Sequence, residues 1–298
     1  MSDPVQDFDY YADVRCPDER RRTEEILVAS TPLNAFERYV YRITWAIAYE
    51  HVKFSNDLTG EIGRHFISKV VMDCRALIGA MRCSSFTGVY HQLRSLMEIT
   101  AQAYYLFAKP KEVSHRVQKW KEYPALLRYS HRRALELALE QGEISQSMFD
   151  ERAATGSPDA TSVGDEQIRL WKKLWKIDED ALLVKPPPSW MHKATYSGLL
   201  EEMHNGDFKE IVDPRQYAIC CHGTHLSPSS MFLHAGLEQF QIQDHSTVLF
   251  HSWQLVEATT ALLPSPGENL LSVVEPEKQA LLTRYAACIL GENRVDAH

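Results

Sequence analysis

The stretch Phe86 to Phe107, FTGVYHQLRSLMEITAQAYYLF, constrains this chain more than any other. It is apolar on almost every side of a helical wheel, yet Arg94 and Glu98 stand in its middle, one turn apart and on one face. A helix apolar nearly all round belongs in a core, and a buried charge is tolerated only when paired and hydrogen-bonded. The reading is therefore a buried ion pair at the centre of the fold. Removing either partner should cost several kcal/mol, roughly the 3–5 kcal/mol typical of an uncompensated buried charge.

The periodicity on either side is helical. Thr31 and Pro32 suit an N-cap and first helical position, and Phe36, Val40, Ile43 and Ile47 then recur toward Phe54. A second stripe joins Ile62, Phe66, Val70, Cys74, Leu77, Ile78 and Met81, and the pair Ser84-Ser85 separates it from the central helix. Pro110 opens a fourth helix that Pro124 should kink or divide, because proline lacks an amide donor and clashes with the preceding turn. This helix runs to Gln141, with Gly142 as its cap. Further helices are expected after Gly142, over Ile168 to Ile177, Trp190 to His204, Asp213-Pro214 to His222-Gly223, Met231 to Phe240, Ser246 to Leu263 and Pro276 to Leu290. No segment alternates as a strand does. The fold class is all-α, a multi-helix bundle of about ten helices around the 86–107 helix. Residues 1–30 form an N-terminal arm and 31–298 a helical domain, with the turn-rich Gly156 to Asp165 and Pro186-Pro187-Pro188 marking 156–189 as a place where it could subdivide.

Composition narrows the function classes. A hydrophobic share of 44% over 298 residues is ample for a core without staples, and six cysteines with no CxxC spacing suit reduced thiols. The polar, acidic N-terminus is no secretory signal, and no run is apolar enough to span a bilayer, so the expected location is cytoplasmic, away from membranes. A formal charge of −8 opposes indiscriminate binding to nucleic acid. One stretch departs from that average. Between Lys109 and Arg133 basic residues far outnumber acids, which reads either as a solvated helix face or as an anion-binding surface, with RNA as a partner at Arg116, Lys119, Arg128, Arg132 and Arg133. Thirteen glycines, with no glycine-rich phosphate loop and no nucleophile elbow, disfavour nucleotide-cradling folds.

Two motifs carry a family resemblance. Leu93-Arg94-Ser95-Leu96-Met97-Glu98, followed by Trp190, Tyr217-Ala218-Ile219-Cys220-Cys221-His222 and Ser227, resembles the paired signatures of domain-of-unknown-function family 5677, all-helical bacterial proteins. The likeness covers roughly residues 35 to 240. The chain departs from the family pattern at Cys220 and Cys221, where serine is common, and in its second histidine, His225. The resemblance implies a fold more than an activity. A histidine near a helix C-terminus meets the negative end of the helix dipole, which favours its protonated form. His222 or His225 could therefore reach Glu98 and complete an Arg-Glu-His network, either a structural polar core or a positioned general acid or base.

Arg215 and His222, seven residues apart, also resemble the arginine-to-histidine pattern of the helical HEPN ribonucleases. That resemblance implies metal-free RNA cleavage across a dimer interface. With 13 histidines in the chain, such a spacing also arises by chance. Glu112/His115 and Glu201/His204 have the spacing of di-iron bundles, and Cys220, Cys221, His222 and His225 contain zinc-type ligands, but neither set has the further ligands a site needs. No metal and no cofactor is expected. Two functions stay open: an interaction module, with an unidentified protein partner and a setting in bacterial stress or defence, or a small hydrolase or ribonuclease using Arg94, Glu98, Arg215 and His222 or His225. A homodimer is compatible with either.

Overall fold

The computed structural model describes residues 32–48, 54–82, 86–155, 163–176, 189–224, 242–263, 270–272 and 274–290. Among them the chain is all helical, with no strand. Ten α-helices follow in order: α1 Pro32–Ala48, α2 Leu58–Arg82, α3 Phe86–Phe107, α4 Val113–Glu140 after a single 3-10 turn at Pro110–Glu112, α5 Gln146–Thr155, α6 Asp165–Trp175, α7 Tyr196–His204, α8 Pro214–Thr224, α9 Ile242–Leu262 and α10 Glu275–Leu290. None of the described helices is long and apolar enough to cross a membrane. The expected arm at 1–30, the Ser84-Ser85 break and the helix over Met231 to Phe240 lie outside the described residues.

The chain divides into two compact units, one formed by residues 1–108 and 196–298, the other by 109–195. The turn-rich 156–189 region falls inside the second. In the first unit α3 is the hub, in contact with α2, α7, α8 and α9, while α1 packs on α2, α9 and α10. The stripe Ile62, Phe66, Val70, Cys74, Leu77, Ile78 and Met81 is buried throughout. Phe66 meets Phe107 edge-on at 6.3 Å between ring centres, locking the far ends of α2 and α3. Where α9 crosses α3, the buried hydroxyls of Thr100 and Thr259 sit 2.9 Å apart, so each polar group meets a partner inside the core. The turn before α2 is tight: Asp57 accepts from the Gly60 amide at 2.8 Å, and a Cβ on Gly60 would stand 2.0 Å from the Ser55 carbonyl oxygen.

The second unit packs α5 and α6 on α4. Its core joins Leu126 to Trp171, Leu174 and Trp175, with Tyr123 and Tyr129 against the tryptophans. That packing explains one departure from expectation. Pro124 does not divide its helix, and α4 runs unbroken from Val113 to Glu140. Aromatic burial on both sides of the proline outweighs the single lost amide bond. Gly142, at φ 73°, then ends the helix as its spacing implied. The expected helix from Trp190 is a second departure. Trp190 and Met191 are buried in a turn, His192 takes φ 62°, and helical backbone begins only at Tyr196. A side chain at left-handed φ cannot sit inside an α-helix, so the two apolar residues are buried by a turn.

Candidate functional site

The face of α3 that carries Arg94, Glu98 and Gln102 at successive turns meets α7 and α8. Arg94 Nε donates to Glu98 Oε1 at 2.8 Å, and from α8 the Tyr217 hydroxyl donates to the same oxygen at 2.9 Å. The Arg94 guanidinium carbon lies 5.9 Å from the centre of the Tyr217 ring, within cation–π range. Gln102 Nε2 donates to the Tyr196 hydroxyl at 3.0 Å, placing a second phenol beside the pair. Behind them Ser95 Oγ donates to Asp73 Oδ2 at 2.6 Å, and Lys69 pairs with the same carboxylate. The Asp213 carboxylate accepts from the Arg215 amide at 2.9 Å, capping the start of α8 and fixing where Tyr217 projects one turn on.

Electrostatics make this cluster stable in its present charge state. Burial pulls the Arg94 guanidinium down, but the hydrogen bond and charge of Glu98 outweigh it and leave the group above its ordinary value. Burial, then Glu98, pushes the Tyr217 phenol well above its usual range, so it remains a donor at any physiological pH. Tyr196 is raised by burial and by Glu98, with Gln102 and Arg94 partly opposing. Cys220, buried on α8, is pushed up to about 12 by burial and is no nucleophile near neutrality.

The expected seclusion of the ion pair is not found. Arg94 and Glu98 side chains are 27% and 22% exposed. The pair sits at the rim of the α3–α8 contact, where both long side chains bury their stems and keep their charged ends near water. Among the described side chains of α8, the partner brought to Glu98 is Tyr217. His222 lies within α8, its side chain outside the described part, and His225 lies outside the described residues altogether. Arg215 is not in this cluster's hydrogen bonding: its side chain is 88% exposed and grips Asp213 through Nε and Nη2 at 2.9–3.2 Å. The helix that holds it runs to Thr224, two residues past His222.

A second polar centre in the same unit is buried. The Tyr39 hydroxyl, fully enclosed, donates to Glu257 Oε1 at 2.6 Å, and burial followed by that carboxylate raises its pKa well above the usual value. Arg42 and Glu277, 1% and 6% exposed, face each other at 3.9 Å, with Arg38 3.6 Å from the same carboxylate. The Arg42 guanidinium also lies 4.7 Å over the Trp45 ring, and Lys278 pairs with Glu257 at 3.3 Å. Sequence reasoning passed over this centre, although Arg42 stands on the stripe Tyr39, Ile43, Ala46.

The basic stretch of the second unit separates into parts. Arg132 and Arg133 are both paired with Glu136, Arg128 is exposed, and Arg116 and Lys119 are buried. Of the di-iron spacings, Glu112 pairs with Arg116, and His204 Nδ1 lies 2.7 Å from the Val212 carbonyl oxygen. Among the described residues no three His, Cys, Asp or Glu side chains gather as metal ligands would.

Among the described residues, fold and site define an all-helical protein with an open polar centre at Arg94–Glu98 and a closed one at Arg42–Glu277. No family model, curated protein or solved structure matches the chain.

Proposed function

We propose that this chain is a non-enzymatic interaction module that receives a protein partner at the open Arg94–Glu98–Tyr217 centre. The observation that carries the reading is that the cluster satisfies itself while staying accessible. The Tyr217 proton is committed to Glu98, the Cys220 thiol is inert, and the ion pair remains about a quarter exposed. In our reading Arg94, Glu98, Tyr217 and Cys220 supply no poised base or nucleophile, which proton transfer or covalent catalysis requires. Among the described residues the hydrogen bonds to Glu98 fall on Oε1, and we take Oε2 as the acceptor a partner would meet. The setting we propose, bacterial stress or defence, rests on the resemblance to the domain-of-unknown-function family alone.

The test is quantitative affinity purification of the wild-type chain, Arg94→Ala and Glu98→Ala from cells that produce it. The reading predicts one protein retained by the wild type and lost from both variants, each still folded by circular dichroism. Identical recovery from all three would end it. Metal-independent RNA cleavage by Arg215 and His222 is the second reading, favoured by the reach of the Arg215 side chain into solvent from the helix that also carries His222. It requires that purified chain degrade RNA in the presence of a chelator and that His222→Ala abolish this with an unchanged melting temperature.

A further inference from the structure

The stripe that α2 buries leaves an opposite face turned to solvent. Along it Arg64, Ser68, Met72, Arg75, Ala76 and Gly79 recur at three- and four-residue spacing, all of them exposed. Met72 is 65% exposed, more than any other large apolar side chain among the described residues. The surface beyond it is shallow, since a Cβ on Gly79 would meet no atom within 4 Å. Each arginine is braced by an aromatic ring. The Arg75 guanidinium carbon lies 5.3 Å from the centre of the Tyr41 ring, with Nη2 3.5 Å from Thr44 Oγ1, and that of Arg64 lies 5.9 Å from the Phe54 ring. Such bracing fixes where the two charges are presented. Lys69, at the edge of the face, pairs with the buried Asp73, and the acid of this face, Glu61, stands at its far end. A thioether between two positioned cations suits a segment that interleaves carboxylates with aromatic rings, because sulfur packs well against ring edges.

The chain itself contains a segment of that composition. Residues 1–14, outside the described residues, carry Asp3, Asp7, Asp9 and Asp13 with no lysine or arginine, interleaved with Phe8, Tyr10 and Tyr11. The described fold begins next to the face in question. Tyr41 and Thr44 of α1 meet Arg75, whereas Glu37, nearer the start of α1, pairs with Arg82 at the end of α2. The two helices are therefore antiparallel, and Pro32 stands toward the last turn of α2. From Arg82 to Arg64 the face extends about 27 Å at helical rise. The residues between Val14 and Pro32 reach up to about 60 Å when extended, so the tether is long enough. We propose that residues 1–14 dock along the outward face of α2 in the same molecule, their aspartates against Arg64 and Arg75 and an aromatic ring on Met72. Tethering keeps the segment at high effective concentration, which favours the chain's own arm over a free acidic peptide. A formal charge of −8 opposes a nucleic acid or an anionic lipid surface at this face.

The test puts a photoreactive benzoylphenylalanine in place of Met72 in the full chain and maps the adducts by mass spectrometry, after irradiating an equal mixture of unlabelled and isotope-labelled protein. The expected product joins position 72 to a peptide within residues 1–14, both halves carry the same label, and the yield falls at high salt. Neutralising the segment, D3N/D7N/D9N/D13N, should abolish that product. So should Arg64→Glu with Arg75→Glu, and adding Asp7→Lys and Asp9→Lys to that pair should restore it, since the charges then match again. If the double substitution on α2 alters the circular dichroism spectrum, the neutralised segment still decides, because it leaves α2 as it is. A product of mixed label assigns the face to the arm of a second copy and overturns the proposal. Capture only of residues outside 1–14, no capture at all, or a yield that survives neutralisation of the four aspartates overturns it equally.

Discussion

The two polar centres of the first unit are built from similar parts and differ in what surrounds them. At Arg42–Glu277 and Tyr39–Glu257, three helices close over the charges, and the carboxylates come from α9 and α10, far along the chain. At Arg94–Glu98 the ion pair lies within one helix, one turn apart, and α7 and α8 cover it only in part. A closed centre can act only on the fold, because its desolvated charges are tolerable solely through each other. An open one costs little to keep and is available to a partner. The accessible pair is therefore where we look for function, and the enclosed pair for stability.

Substitutions can break that contrast. Glu277→Ala should have the largest effect, about 3–5 kcal/mol lost in urea unfolding, since it removes the carboxylate that faces the buried Arg42. A loss below about 1 kcal/mol would show the closed centre to be solvated. The next effect comes from His251 on α9, buried and pushed down to about 4 by burial, with Gln254 and Asp213 opposing. Its folded pKa is below its unfolded value near 6.5. As pH falls from about 6.5 to about 4, the unfolded chain takes a proton that the folded chain refuses, and roughly 3 kcal/mol of stability should disappear. His251→Leu should flatten that dependence, as read from unfolding free energies at several pH values across this window. Tyr217→Phe should have the smallest effect, about 0.5–1.5 kcal/mol, because Glu98 keeps Arg94 and reaches water. A loss as large as that of Glu277→Ala would mean the open centre is a second closed one.

The helices were legible because their signals are local. The stripe of α2 and the bounds of α3 follow from apolar spacing, and Gly142 from its place at the end of an amphipathic run. The site was half legible. Arg94 and Glu98 announce themselves as charges in an apolar helix, but periodicity does not say how completely neighbours will cover one edge of it. Nor does it say which α8 residue will face Glu98. Among the described side chains it is Tyr217, and a tyrosine five residues before His222 reads from sequence as ordinary core. Arg42 was hidden for a related reason: its partner Glu277 and the Tyr39 partner Glu257 come from the other end of the chain, 218 residues away in the case of Tyr39. Trp190 was misjudged, and Pro124 fails to divide its helix, where tertiary burial of aromatics overrides a local rule.

Equilibrium urea unfolding of Arg42→Ala beside Arg94→Ala at pH 7 tests the distinction most directly. The closed arginine should cost about 3–5 kcal/mol and the open one about 1 kcal/mol or less. Equal losses, or a larger loss at Arg94, would contradict it.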